Sequence, residues 1–167
     1  MSALLGVSLV YGLFWFKNLA NFFSNILTLL GAGLLLGPPV GIALAALSSL
    51  ILTGLLRVFR KRVSVRNMFT VVSYAAAPVV FSLIAVFPVE VAVFGSDLFR
   101  SDPSPMAIKP VVYSILLLLD GLAVVWSWVL LTRGVSVAGG LSIPKALFVT
   151  FGFLVIAGAA AIGVLSL

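Results

Sequence analysis

VGIALAALSSLILTGLLRVFRKRVSVR, Val40–Arg66, is the stretch that decides the fold. From Val40 to Leu56 there is no charged side chain. Arg57, Arg60, Lys61, Arg62 and Arg66 then follow with no acid among them. A helix that crosses the bilayer needs about 20 apolar residues, and Val40–Phe59 supplies them. Basic residues beside such a helix set its orientation, because Lys and Arg are retained on the cytoplasmic side. One hydrophobic span with a basic, acid-free exit is the pattern expected of a membrane helix.

Working outward, three more segments read the same way. Phe69–Phe94 is apolar until Glu90, Ala107–Thr132 carries Lys109 near one end and Asp120 in its middle, and Lys145–Leu167 has no charge after Lys145. The whole chain agrees. Its 167 residues are 63% hydrophobic and 8% charged, with a mean hydropathy of +1.34. Soluble domains carry about 25% charged residues, so lipid is the solvent that this composition requires. The chain is expected to be one all-α domain, a polytopic helical bundle over residues 1–167.

The composition also excludes chemistry. With no Cys there is no disulfide framework, thiolate metal site or Cys nucleophile. With no His the commonest general base and haem ligand is missing. No metal, cofactor or catalytic residue is expected. The net charge of +6 would suit nucleic acid, but most of the basic residues flank apolar segments, where topology accounts for them.

The first 39 residues allow two layouts. Met1–Phe16 is apolar but short. It lacks a basic start and an A-x-A-like cleavage site, so it reads as mature protein rather than a signal peptide. Beyond it, Lys17, Asn21, Ser24/Asn25 and Thr28 recur at helical spacing, opposite Leu19, Phe22, Phe23, Ile26 and Leu30. Gly37-Pro38-Pro39 is expected to end that helix, because Pro lacks the N–H and clashes with the preceding turn. Either Met1–Phe16 spans and Lys17–Leu36 lies at the interface or dips back into the membrane, or Leu19–Leu36 spans and Met1–Phe16 is interfacial or a further crossing. About five spans are expected, and six are possible.

Charge then orients the bundle. The Arg57–Arg66 loop and the Arg133–Lys145 loop are both basic and acid-free, and two crossings separate them. The loop between them holds Glu90, Asp97 and Asp102 against Arg100 and Lys109. The two basic loops are therefore expected in the cytoplasm, and Phe94–Lys109 outside. With five spans the N-terminus is cytoplasmic and the C-terminus external.

Asp120 is the sharpest polar candidate. A carboxylate at the bilayer centre costs at least about 2.5–3.5 kcal/mol on insertion scales, so it needs a partner or water. It reads either as a proton or cation site or as a carboxyl facing the bundle beside Ser or Tyr hydroxyls. The cluster Arg57, Arg60, Lys61, Arg62 and Arg66 reads as a topology signal, with docking of anionic lipid headgroups as the further possibility. Gly33-x-x-x-Gly37, leading to Gly41, permits close helix approach, within the chain first and between copies second. Trp126 and Trp128 suit the aromatic belt. Pro78 frees the Tyr74 carbonyl four residues earlier and favours a kink.

Three stretches carry a family resemblance. One is Arg62-Val63-Ser64-Val65-Arg66-Asn67-Met68-Phe69, followed by Ser73-Tyr74-Ala75-Ala76-Ala77-Pro78. Another is Trp126-Ser127-Trp128-Val129-Leu130-Leu131 with Arg133-Gly134-Val135. The last is Gly140-Leu141-Ser142-Ile143-Pro144-Lys145-Ala146-Leu147. From Val40 onward the chain resembles the Ypt-interacting-protein (Yip) domain family of multi-pass membrane proteins. The resemblance implies a five-span domain with a cytoplasmic N-terminus. Without a long soluble N-terminal region the chain is similar to the compact prokaryotic members, for which a membrane-organising or scaffolding role in the inner membrane is implied. The expected partners are lipids, other membrane proteins or further copies of the chain. An accessory subunit of a larger bioenergetic membrane complex, or a small transporter or channel using Asp120, are the competing functions.

Overall fold

The computed structural model describes residues 1–18, 25–102 and 104–165, with side chains to residue 159. All its regular structure is helical: α1 (Ser2–Phe16), α2 (Ile26–Val58), α3 (Val65–Ala75), α4 (Ala77–Ala85), α5 (Phe87–Phe94), a 3-10 turn (Gly95–Phe99), α6 (Pro105–Ile108), α7 (Pro110–Gly139) and α8 (Ile143–Leu165). Three continuous helical stretches are long and apolar enough to cross a membrane: Ile26–Val58, Val65–Phe99 and Pro110–Gly139. Ser2–Phe16 and Ile143–Ala159 are apolar but shorter.

The N-terminal third corrects the sequence reading. Gly37-Pro38-Pro39 does not end a helix; α2 runs through it from Ile26 to Val58. The two prolines forfeit the hydrogen bonds that their N–H groups would give to the Leu34 and Leu35 carbonyls. An apolar helix has no better way to satisfy its other backbone groups in lipid, so it tolerates the loss. Of the proposed amphipathic segment, Leu19, Asn21, Phe22, Phe23 and Ser24 lie outside the described residues. Ile26–Leu36 belongs to α2.

Phe69–Phe94, expected as one span with a kink at Pro78, lies within the apolar stretch Val65–Phe99. The chain there is a broken helix. Ala76 separates α3 from α4 and Val86 separates α4 from α5, with Pro78 and Pro88 in the first turns of the new helices. Proline is accepted in the first turn because its missing N–H has no intrahelical partner there. Pro78 thus opens a new helix rather than sitting inside a continuous one, and Pro88 repeats the device one short helix later.

The chain packs as two compact units. Unit 1 comprises Met1–Ala43 and Ala76–Ser127; unit 2 comprises Leu44–Ala75 and Trp128–Leu167. In unit 1, α1 buries Gly6, Val7, Val10, Tyr11 and Phe14, a stripe at helical spacing. It meets the stripe Leu29, Gly33, Gly37 and Gly41 on α2, every fourth residue of one face. The approach is close enough to require glycine on both helices. A Cβ on Gly6 would overlap the Gly37 carbonyl and the Gly41 backbone, and one on Gly33 would strike the Tyr11 ring. The Tyr11 hydroxyl donates to the Leu30 carbonyl at 2.7 Å, tying the same two helices. Leu98 and Phe99 of the 3-10 turn and Tyr113 and Leu116 of α7 complete this core. The Phe94–Lys109 loop therefore contributes the buried Leu98 and Phe99, and Ser104 caps α6 by accepting from the Ala107 N–H at 3.3 Å.

In unit 2, Ala45, Leu52 and Leu56 of α2 pack with Met68 and Val72 of α3, Val135 of α7, and Ala146 and Val149 of α8. Two buried hydroxyls, Thr132 on α7 and Thr150 on α8, lie 3.1 Å apart. Each also lies within hydrogen-bonding distance of a carbonyl of its own helix, Thr132 at 3.0 Å from that of Trp128 and Thr150 at 3.2 Å from that of Ala146, so two hydroxyl protons are shared among these contacts.

Candidate functional site

Each unit contains one polar feature. In unit 1 it is a cavity of about 210 Å³ between α1, α4, α5, the 3-10 turn and α7. Its walls are mostly aromatic and aliphatic. Tyr11 stacks on Phe87 with ring centroids 4.6 Å apart, Phe87 meets Phe99 edge-on at 6.3 Å, and Trp15 and Tyr113 also line it. Ser8 of α1 lines it, together with two carboxyls and a second Ser from the other helices. Asp120 comes from α7, Ser82 from α4 and Glu90 from α5.

Asp120 accepts a hydrogen bond from the buried Ser82 hydroxyl. The sequence anticipated a hydroxyl neighbour without naming it, and the α3–α4 break ahead of Ser82 is what starts the helix that carries it. Glu90 is the residue that sequence reading missed. It was assigned to the end of a span and counted with the outer loop's acids. Instead it is 8% exposed, within α5, and interacts directly with Asp120. A faint signal existed. Tyr113 and Asp120 are seven residues apart on α7, and Tyr11 and Trp15 four apart on α1, so each pair shares a face. Nothing in the sequence places those faces together, and the break at Val86 hides the relation of Ser82 to Glu90.

In unit 2 the polar feature is a basic end. Helix α2 closes with Arg60 at φ +57°. The Lys61 N–H donates to the Leu56 carbonyl at 3.1 Å and the Arg60 N–H to that of Arg57 at 2.9 Å, the pairing of a left-handed helix stop. Helix α7 ends the same way, with Gly140 at φ +55° and the Leu141 N–H bonded to the Ser136 carbonyl at 3.0 Å. The two ends meet. Gly139 packs on Leu56, and Gly140 faces the Lys61 amine. Arg57, Arg60, Arg62 and Arg66 are exposed around this junction and Lys61 half-buried. The two loops thus meet at one end of the unit, with Lys61 beside Gly140. Tyr74 is 68% exposed on α3 and adds nothing to either polar feature. Its unit is the second, while Pro78 opens α4 in the first.

Among the described residues no group of three Asp, Glu, His or Cys could hold a metal ion. These are the features of a polytopic helical membrane protein with a small polar cavity and a basic face. Comparison with protein families makes the assignment specific. The chain matches the Yip1 domain model over residues 1–165, and it belongs to that family. The match extends the resemblance seen from Val40 onward across α1 and the first half of α2. No curated protein and no solved structure matches the chain.

Proposed function

We propose that this protein is a non-enzymatic organiser of the membrane, seated in the inner membrane of a prokaryotic cell with its basic face in the cytoplasm. It binds anionic lipid headgroups and presents that face to other membrane proteins or to further copies of itself. The observation that carries this reading is the junction of the α2 and α7 ends in unit 2. Arg57, Arg60, Lys61, Arg62 and Arg66 surround it with no acidic residue in the Arg57–Arg66 run. Each basic residue near an anionic surface contributes about 1 kcal/mol, and salt screens the attraction within about 10 Å at 0.1 M. The N-terminus is cytoplasmic in this orientation, and Phe94–Lys109 is external.

The test is thermal stability in nanodiscs. Exchanging neutral phosphatidylcholine for phosphatidylglycerol should raise the melting temperature, and 0.5 M salt should remove the gain. The triple variant Arg60→Gln, Lys61→Gln, Arg62→Gln should lose it at any salt concentration. A gain that is indifferent to salt and persists in the triple variant overturns the lipid-docking role.

A further inference from the structure

The unit 1 cavity has an electrostatic peculiarity that a topology or scaffolding role does not use. Two carboxyls enter it, and no basic side chain among the described residues lines it. Of the unit's described cations, Arg100 pairs with Asp97 at 3.4 Å, and neither Lys17 nor Lys109 reaches the walls. Ser82 supplies Asp120 with a donor. Glu90, 8% exposed, interacts with the Asp120 carboxyl, and no cation of the described residues lines the cavity beside the pair. Two carboxylates held side by side away from water repel each other, and a cation between them relieves that repulsion. Tyr11, Trp15, Phe87, Phe99 and Tyr113 contribute aromatic rings to the walls, and aliphatic side chains complete them.

We propose that this cavity binds an alkylammonium group, with Glu90 and Asp120 as its counter-ions and the aromatic side chains as its cage. Carboxylates combined with several aromatic rings suit an organic cation, because ring faces attract cations and apolar walls accept its carbon substituents. A calcium or magnesium ion is the poorer fit, since it needs six or more oxygen ligands and the donors here are few. A volume of about 210 Å³ suits a group the size of a trimethylammonium or ethanolammonium head. Leu117 and Val124 line the cavity while 50% and 60% exposed, so one wall reaches the surface of the unit. The ammonium could belong to a free amine or to a lipid headgroup, and both have the chemistry required.

The full-length protein, purified in a maltoside detergent, would be titrated calorimetrically with tetramethylammonium and with ethanolammonium, against sodium chloride at equal ionic strength. Saturable binding of at least one is expected, and Glu90→Gln should weaken it at least about tenfold, the equivalent of 1.4 kcal/mol. Should Glu90→Gln fail to yield monodisperse protein, Trp15→Leu carries the test. Trp15 is 42% exposed, so its replacement spares the core while removing one cage wall, and binding should again weaken. In nanodiscs, retention of phosphatidylethanolamine over phosphatidylglycerol, lost in the same variants, would identify a lipid headgroup as the source. Binding of the free amines without such retention would identify a soluble one. Either result supports the proposal. No saturable binding of either probe, or wild-type affinity in the variants, overturns it. The outcome is independent of the basic face, whose test reads anionic lipid and salt.

Discussion

At the scale of single residues, glycine has the most to say. Gly6, Gly37 and Gly41 sit where two helix backbones touch, and any Cβ there meets backbone atoms that cannot swing aside. Gly31, on the same α2 helix, has nothing within 4 Å of its Cβ position. The two sites therefore predict opposite outcomes. Gly6→Ala should destabilise the protein by about 1–3 kcal/mol through overpacking. Gly31→Ala should be neutral or stabilising by up to about 1 kcal/mol, since alanine is the better helix former. Thermal melts of the two variants in one detergent would check both signs. The sequence displayed the Gly33, Gly37, Gly41 spacing and suggested close packing within the chain, but not the partner. Gly6 and Tyr11 on α1 are distant in sequence, and no local pattern announces them.

At the scale of elements, the sequence was most legible where a segment was uniformly apolar and bounded by charge, as with α7 and the end of α2 at Arg57. It misled where proline was taken as a stop. Pro38 and Pro39 are carried inside α2, while Pro78 and Pro88 each stand in the first turn of a new helix. Residue type alone does not separate these cases; the glycine-lined contact with α1 holds α2 together across its prolines. The pairing of α7 with α8 is a second element-scale feature, built on the Thr132–Thr150 hydroxyl contact. Because the two hydroxyl protons are shared with a carbonyl of each helix, the contact between them should be modest. A double-mutant cycle with Thr132→Val and Thr150→Val is expected to give a coupling of about 0.6 kcal/mol, typical of hydrogen bonds between membrane helices. A coupling indistinguishable from zero in the unfolding free energies would mean that apolar packing alone joins the pair.

At the scale of the molecule, helical class, membrane solvent and family were all readable in the sequence, because composition and charge placement express them directly. The cavity was not. Glu90 looked like a span-ending acid because it precedes the Asp97 and Asp102 turn region. Its inward placement depends on α4 and α5 being separate short helices. Orientation rests on the two basic loops, which the fold of unit 2 brings to one end. The chain contains no Cys, so single cysteines can report on it without background. Asn67→Cys and Ser142→Cys mark the two basic loops, and Ser101→Cys marks the acidic one; all three positions are exposed. In intact cells a membrane-impermeant maleimide should label Ser101→Cys alone, and should reach Asn67→Cys and Ser142→Cys only after the membrane is opened. Labelling of Asn67→Cys or Ser142→Cys in sealed cells, with Ser101→Cys protected, would contradict the cytoplasmic placement of the basic face.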